Sequence, residues 1–166
     1  MEHTLIIGLG NPDPLLENTY HNVGVLAVEQ LAGEKFRPYK RIYSYAKIGK
    51  TTFIRPLVFM NESGIAVKEA MRIFKARPEN IVVVHDDSDI PVGDVKYSMG
   101  GGSAGHKGIR SIIEHIGTNE FARVRIGIRE KNEERRKKAE EFVLSPITSK
   151  NHKIFTEVFS KLRLDQ

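Results

Sequence analysis

A chain of 166 residues, 40% of them apolar, is long enough for one domain with a full hydrophobic core and too apolar for a disordered segment. It has no cysteine, which excludes disulfides, thiol nucleophiles and cysteine-ligated zinc and fits a reducing compartment. A net charge of +5 favours polyanionic partners, while no run approaches the ~18 apolar residues of a membrane helix and Met1-Glu2-His3-Thr4 lacks the basic start of a secretory leader, so a cytoplasmic protein is expected.

The apolar run Leu5-Ile6-Ile7 predicts a buried strand over residues 3–8. It ends in Gly8-Leu9-Gly10-Asn11-Pro12, and Thr19-Tyr20-His21-Asn22-Val23-Gly24 follows closely. A strand that gives way to such a polar turn delivers side chains to the carboxyl edge of a sheet, where α/β proteins bind ligands. His21 there could take or give a proton near neutral pH. Val25, Leu26, Val28, Leu31 and Ala32 recur at helical spacing over residues 22–33, with Gly33 as the stop. Residues 42–48 and 51–54 read as two strands joined by a tight Gly49-Lys50 turn, which argues against an all-parallel sheet.

A helix is expected over residues 63–76, with Ile65, Ala66, Met71, Ile73 and Phe74 as core and Asn61 or Ser63 as its N-cap. Ile81-Val82-Val83-Val84 is a central strand, followed by the acidic cluster His85-Asp86-Asp87-Ser88-Asp89. Val95–Met99 is a further strand, and residues 100–105 form a flexible, Gly-rich loop. Next come a helix carrying Ile109, Ile112, Ile113 and Ile116, a strand over 123–128 and a charged, solvated helix over 131–141. After Pro146, an amphipathic helix carries Ile154, Phe155, Val158, Phe159 and Leu162. No linker or repeat divides the chain, so residues 1–166 are expected to form one α/β domain: a twisted mixed β-sheet with helices on both faces.

Asp86 and its neighbours admit three readings. They lack the alternating oxygens, Gly and closing Glu of a calcium loop, so no metal is expected. They could form a surface turn of self-capping Asp residues. Alternatively, one Asp holds an imidazole in its useful tautomer, with His21 as partner. The Gly-rich segment is neither a Walker loop nor a dinucleotide fingerprint. It could cradle a phosphate near His106 and Lys107 or act as a mobile lid. Basic residues thicken after Lys96, and alternation places Arg123 and Arg125 on one strand face. Asn11, His21, Asn61 and Asp86 all fall in loops beside sheet elements. With no Cys and no Gly-x-Ser-x-Gly elbow, the chemistry left to a His-Asp pair is activation of water.

Four blocks in order resemble the bacterial peptidyl-tRNA hydrolase family, from Leu5 to about Leu144: Gly-Leu-Gly-Asn-Pro with Thr-x-His-Asn-Val-Gly, Phe-Met-Asn-x-Ser-Gly, Val-His-Asp-Asp-x-Asp-x-Pro-x-Gly, and Gly-Gly-Gly-x-x-Gly-His-x-Gly with Arg-x-Arg-Ile-Gly-Ile. The resemblance implies cleavage of the ester between a peptide and the 3′-terminal adenosine of tRNA, which recycles tRNA from prematurely released peptidyl-tRNA. It implies that His21, Asp86 and Asn11 form the catalytic set, with His21 as general base and Asp86 orienting it. Asn61, Met60, His106 and Lys107 would meet the substrate, and Lys96 and Arg125 would clamp acceptor-stem phosphates. The implied partner is peptidyl-tRNA, bound by its acceptor stem and 3′ end, to a monomer that needs no metal, organic cofactor, membrane or obligatory protein partner.

The chain departs from the family pattern at Lys107, where Asn is usual, at Leu16 for Tyr, at Tyr20 for Arg and at Asp13 for Gly. Leu57 and Val58 replace Gln and Thr. These departures leave room for an RNA-binding relative on the same scaffold with weakened or lost hydrolysis, as in splicing factors. Hydrolysis of another acyl or aminoacyl ester is a further reading.

Overall fold

The computed structural model describes residues 2–33 and 35–164. In chain order the strands and α-helices are β1 (Thr4–Gly8), α1 (Val23–Ala32), β2 (Arg37–Tyr39), β3 (Tyr43–Ile48), β4 (Thr51–Pro56) and α2 (Ser63–Phe74). There follow β5 (Ile81–Pro91), β6 (Val95–Met99), α3 (Lys107–Ile116), β7 (Ala122–Arg129) and α4 (Ser149–Ser160). The strands form one seven-stranded sheet in the order β2-β3-β4-β1-β5-β7-β6. β4, β1, β5 and β7 run parallel, while β2, β3 and β6 pair antiparallel at the flanks.

The mixed sheet has helices on both faces, as the alternation of strand and helix patterns requires. Ile6, Val82, Val84 and Val124 pack with Val23, Ala27 and Val28 of α1 and Phe155 and Phe159 of α4. Leu5, Ile7, Ile81 and Val83 pack on the other face with Ala66, Val67 and Ala70 of α2 and Ile109 and Ile112 of α3. A strand covered on both faces needs no alternation, which explains the unbroken apolar runs of β1 and β5. Among the described residues, no helix is long and apolar enough to cross a membrane.

α1 sits unusually close to β1. A Cβ at Gly24 would lie 2.7 Å from the Leu9 nitrogen and closer still to the Val84 carbonyl oxygen. A Cβ at Gly8 would collide with the Gly24 carbonyl. The two glycines let the helix start directly over the strand, and this fixes the turn that carries His21.

Several local expectations give way. β5 runs straight through the acidic cluster to Pro91 rather than ending at Val84. It stays paired to β7 through Asp87, with an irregularity before Pro91, so Asp86 is a buried strand residue and not part of a surface turn. Residues 131–138 are irregular, followed by a 3-10 turn at Ala139–Glu141, where a solvated helix was expected. Arg129 Nη1 donates to Glu133 (3.0 Å) and to the Lys137 carbonyl (2.6 Å), and Arg136 reaches Asp89 at 2.5 Å. In a continuous helix the Lys137 carbonyl would instead accept from the Glu141 N–H, which bonds Lys138 here. Ile65 and Ile73 lie on the exposed side of α2, whose core face is Ala66, Val67 and Ala70. Neither Asn61 nor Ser63 caps α2: Glu62 occupies that position without a side-chain bond, and Ser63 Oγ donates back to the Met60 carbonyl. Leu162 lies beyond the end of α4.

Candidate active site

β1 and its neighbour β5 bring the two halves of the site to the same carboxyl edge. Asn11 follows β1, and His21 sits in a 3-10 turn, Tyr20–Asn22, that runs into α1. Segment 143–147 laces this turn from behind: the Val143 carbonyl accepts from the His21 N–H (2.7 Å) and Ser145 from Tyr20 (3.3 Å). Tyr20, one of the departures, is buried with its ring edge against Phe155, and its hydroxyl accepts from Asn151 of α4 (2.9 Å). The turn is thus held by backbone and core together.

His21 Nδ1 lies 2.8 Å from Asp86 Oδ2 and 2.9 Å from Oδ1. The Asp86 side chain is 3% exposed and that of His21 13%. Nδ1 therefore donates to the carboxylate, and Nε2, which has no protein partner among the described residues, keeps its lone pair. This is the His-Asp pairing expected from sequence.

A second imidazole shares the same carboxylate. His106 Nε2 lies 2.9 Å from Asp86 Oδ1. The other His106 nitrogen, Nδ1, accepts from the Gly108 and Ile109 N–H groups (3.1 and 3.3 Å) and so caps α3. An Nδ1 that accepts leaves the hydrogen on Nε2, so His106 donates to Asp86. His106, which the resemblance assigns to the substrate, bonds Asp86. The signal available was a His just ahead of a helix start, where a ring nitrogen can cap.

His21, Asp86 and His106 offer donor atoms within 4.8 Å of one another, close enough to consider a cation. A cation would need the lone pair of His106 Nε2, and the proton would then move to Nδ1, facing two N–H groups. Capping α3 and binding a metal exclude each other at this ring, so the donor set is built for hydrogen bonds.

The electrostatics follow from burial and from these contacts. Burial opposes charge on His21, but the Asp86 carboxylate outweighs it and raises the imidazole pKa, with Lys107 pulling the other way. Burial of Asp86 favours its neutral form, yet the two imidazoles beside it hold its pKa well below the usual carboxylate range. His85 is buried beneath them, its Nδ1 donating to the Asp86 carbonyl (2.8 Å), and burial pushes its pKa down to about 3.

Asn11 is oriented at every atom but one. Its backbone N–H and C=O each bond the Asn22 side chain at 2.9 Å, and its Oδ1 accepts from the Met60 N–H at 2.8 Å. Because Met60 N can only donate, the Asn11 amide must face it with oxygen. Nδ2 has no partner among the described residues and is left as a donor. Asn22, which adjoins His21, is not among the residues expected at the site. Met60 is 4% exposed, with its sulfur packed where a Cβ on Gly108 would fall, so its side chain is a floor. Asn61 and Lys107 are exposed, and neither has a side-chain hydrogen bond among the described residues. A cleft of about 190 Å³ opens beside Asn11, lined by Asn22, Arg55 and the two departures Asp13 and Leu57.

Lys96 and Arg125 face each other across β6 and β7. Arg125 is tied to Asp87 (2.9 Å) and stays one-third exposed, whereas Lys96 is exposed and has no acidic partner among the described residues. Arg123, on the same face, is buried and does not share that surface.

Known proteins resemble this chain closely. A peptidyl-tRNA hydrolase of Marinobacter nauticus is 41% identical over 95% of this chain and 84% of its own length. One from Aquifex aeolicus is 39% identical over 97% of this chain and 86% of its own. A crystal structure of peptidyl-tRNA hydrolase from Acinetobacter baumannii superposes with a TM-score of 0.81 at 32% identity, covering 95% of this chain and 83% of that one. The sequence pattern described as peptidyl-tRNA hydrolase runs from residue 5 to residue 164, the stretch that contains the sheet, both histidines and Asp86, and the chain belongs to that family.

Proposed function

We infer that this protein hydrolyses the ester joining a peptide to the 3′-terminal ribose of tRNA. The observation that carries the mechanism is the buried Asp86–His21 pair, whose Nε2 has no protein partner among the described residues; Asn11, tied to the Asn22 side chain next to His21 in sequence, adds an amide Nδ2 that is likewise unpartnered there. His21 Nε2 takes a proton from water as the water oxygen attacks the ester carbonyl. Asp86, accepting from Nδ1–H, stabilises the imidazolium that forms. Asn11 Nδ2 donates to the carbonyl oxygen as it gains negative charge. The tetrahedral intermediate collapses with loss of the ribose oxygen, which recovers the proton from His21. The peptide is released as a carboxylic acid that gives its proton to solvent, and the tRNA leaves with its terminal hydroxyl restored. No covalent enzyme intermediate is needed, because an ester is activated enough for water and a positioned base.

Asn61, exposed beside the Met60 floor, and Lys107 are assigned to substrate contacts at the rim. Lys96 and Arg125 are assigned to acceptor-stem phosphates, a salt-sensitive contact that reads no sequence. Support for this comes from their pairing across the strands and from the net charge of +5. The protein is assigned to the cytoplasm, working there as a monomer.

The test is hydrolysis of an N-blocked aminoacyl-tRNA and of its free counterpart, with chelator present. Wild-type protein should cleave the blocked ester, and His21→Ala should lose turnover by at least ~10³-fold while retaining tRNA affinity. Full turnover by His21→Ala would remove the base assignment. Wild-type protein that binds tRNA but cleaves neither ester would instead be the RNA-binding relative.

A further inference from the structure

We propose that Arg123 is a positioning residue for this hydrolysis: it clamps the Gly-rich strap that sets His106 against Asp86. The proposal rests on the hydrolase reading above. The strap leaves β6 at Met99, which pairs with Ala122 at the start of β7, and ends at His106 against Asp86 of β5. Gly100-Gly101-Gly102 has little conformational preference of its own, and Gly101 and Gly102 are exposed. Such a segment alone is the flexible loop or mobile lid that its sequence suggests.

The guanidinium supplies the missing order. Arg123 Nη1 donates to the Gly102 carbonyl and Nη2 to the Gly101 carbonyl, both at 2.6 Å. The same group lies over the Phe121 ring, 4.8 Å from its centroid. The Gly100 N–H bonds the Phe121 carbonyl at 3.2 Å, so the strap is fixed to β7 at its near end. At its far end the His106 N–H bonds the Ser103 carbonyl (2.9 Å), closing the turn into α3. His106 then holds Asp86 and packs between two other imidazoles, with ring centroids 5.1 Å from His21 and 4.9 Å from His85.

Arg123 is 5% exposed, with both terminal nitrogens committed to the strap, so it cannot serve as a phosphate contact. Burying a guanidinium is costly and requires fixed partners. Here the partners are carbonyls of the segment that leads to His106. Loosening the strap frees His106, gives the carboxylate a rotation it now lacks and lets the His21 ring drift from its attack geometry.

Lysine can reach only one of the two carbonyls, so Arg123→Lys keeps the charge and loses the clamp. Arg123→Lys and Arg123→Gln should lower kcat about ten-fold or more, leave KM within about two-fold and leave its salt dependence unchanged. Nitrogen-15 imidazole spectra should show the His106 Nε2–H signal shifted or lost while the His85 Nδ1–H signal persists. An extra glycine inserted after Gly102 lengthens the strap without touching the core, and it should reproduce the kcat loss with an unchanged Tm. Undiminished kcat in the insertion variant, or an intact His106 signal in Arg123→Lys, overturns the proposal. A raised KM with a flattened salt slope also overturns it, by making Arg123 an RNA contact. The imidazole spectra need no turnover, so inactivity of the wild-type protein would defeat the hydrolase reading and leave the clamp testable.

Discussion

At the scale of single residues, two groups of opposite sign act on one imidazole. Asp86 raises the His21 pKa above its ordinary value and Lys107 lowers it. General-base catalysis needs the neutral ring, so kcat/KM should rise with pH through the folded His21 pKa. Asp86→Asn removes the upward pull: the acidic limb moves to lower pH, and the plateau falls because the imidazolium loses its partner. Lys107→Asn removes the downward pull, so the limb moves to higher pH with equal or faster turnover on the plateau. A pH profile of kcat/KM from 5 to 9 checks both, and a limb that moved the same way in the two variants would defeat this account. The stability link has its own sign. A raised His pKa contributes stability that is fully present below the unfolded value and is lost as pH rises through the folded one. The His21–Asp86 partnership was legible in the sequence because each residue follows an apolar strand run and such strands end at one edge. The second donor on Asp86 was not legible, since the tautomer of His106 depends on where α3 begins.

At the scale of elements, the position of His21 is set by how closely α1 approaches the sheet. Gly24 stands where any side chain would strike the Val84 carbonyl and the Leu9 nitrogen, both backbone atoms of the central strands or their ends. Backbone cannot swing aside as a side chain can. Gly24→Ala should therefore cost about 2–4 kcal/mol in urea unfolding at pH 7, well beyond the small gain that alanine brings to an exposed helix. The tilt it forces on α1 should also lower kcat, because the turn holding His21 is continuous with the helix. A stable, fully active Gly24→Ala protein would show that the helix shifts without moving the turn. The strands and helices of the core could be read from apolar spacing, since burial on two faces leaves that mark. Residues 131–141 could not, because Glu and Lys suit a helix locally while Arg129, at the end of the preceding strand, and Asp89, distant in sequence, take up their partners. The Gly-rich segment fails the same way: nothing in three glycines announces a guanidinium two strand residues past Phe121.

At the scale of the whole molecule, the site that makes a good base also makes the fold sensitive to acid. His85 is buried under the Asp86 cluster, and burial holds its pKa down to about 3. In the unfolded chain the same ring titrates near ~6.5. Between those values the unfolded state takes up a proton that the native state refuses, so stability falls as pH drops through that window. Asp86 acts in the same direction: its lowered pKa contributes stability above the ordinary carboxylate value, and this is lost as pH falls further. Between pH 7 and pH 5 Asp86 is outside its window, and the His85 share of the loss should be about 2 kcal/mol. His85→Gln isolates that share, since the amide can still donate to the Asp86 carbonyl but cannot titrate. Urea unfolding of the two proteins at pH 7 and pH 5 should show the wild type losing more stability than the variant across that interval. Equal losses would mean that the His85 ring is hydrated in the native state and that the floor of the site is wetter than its packing implies.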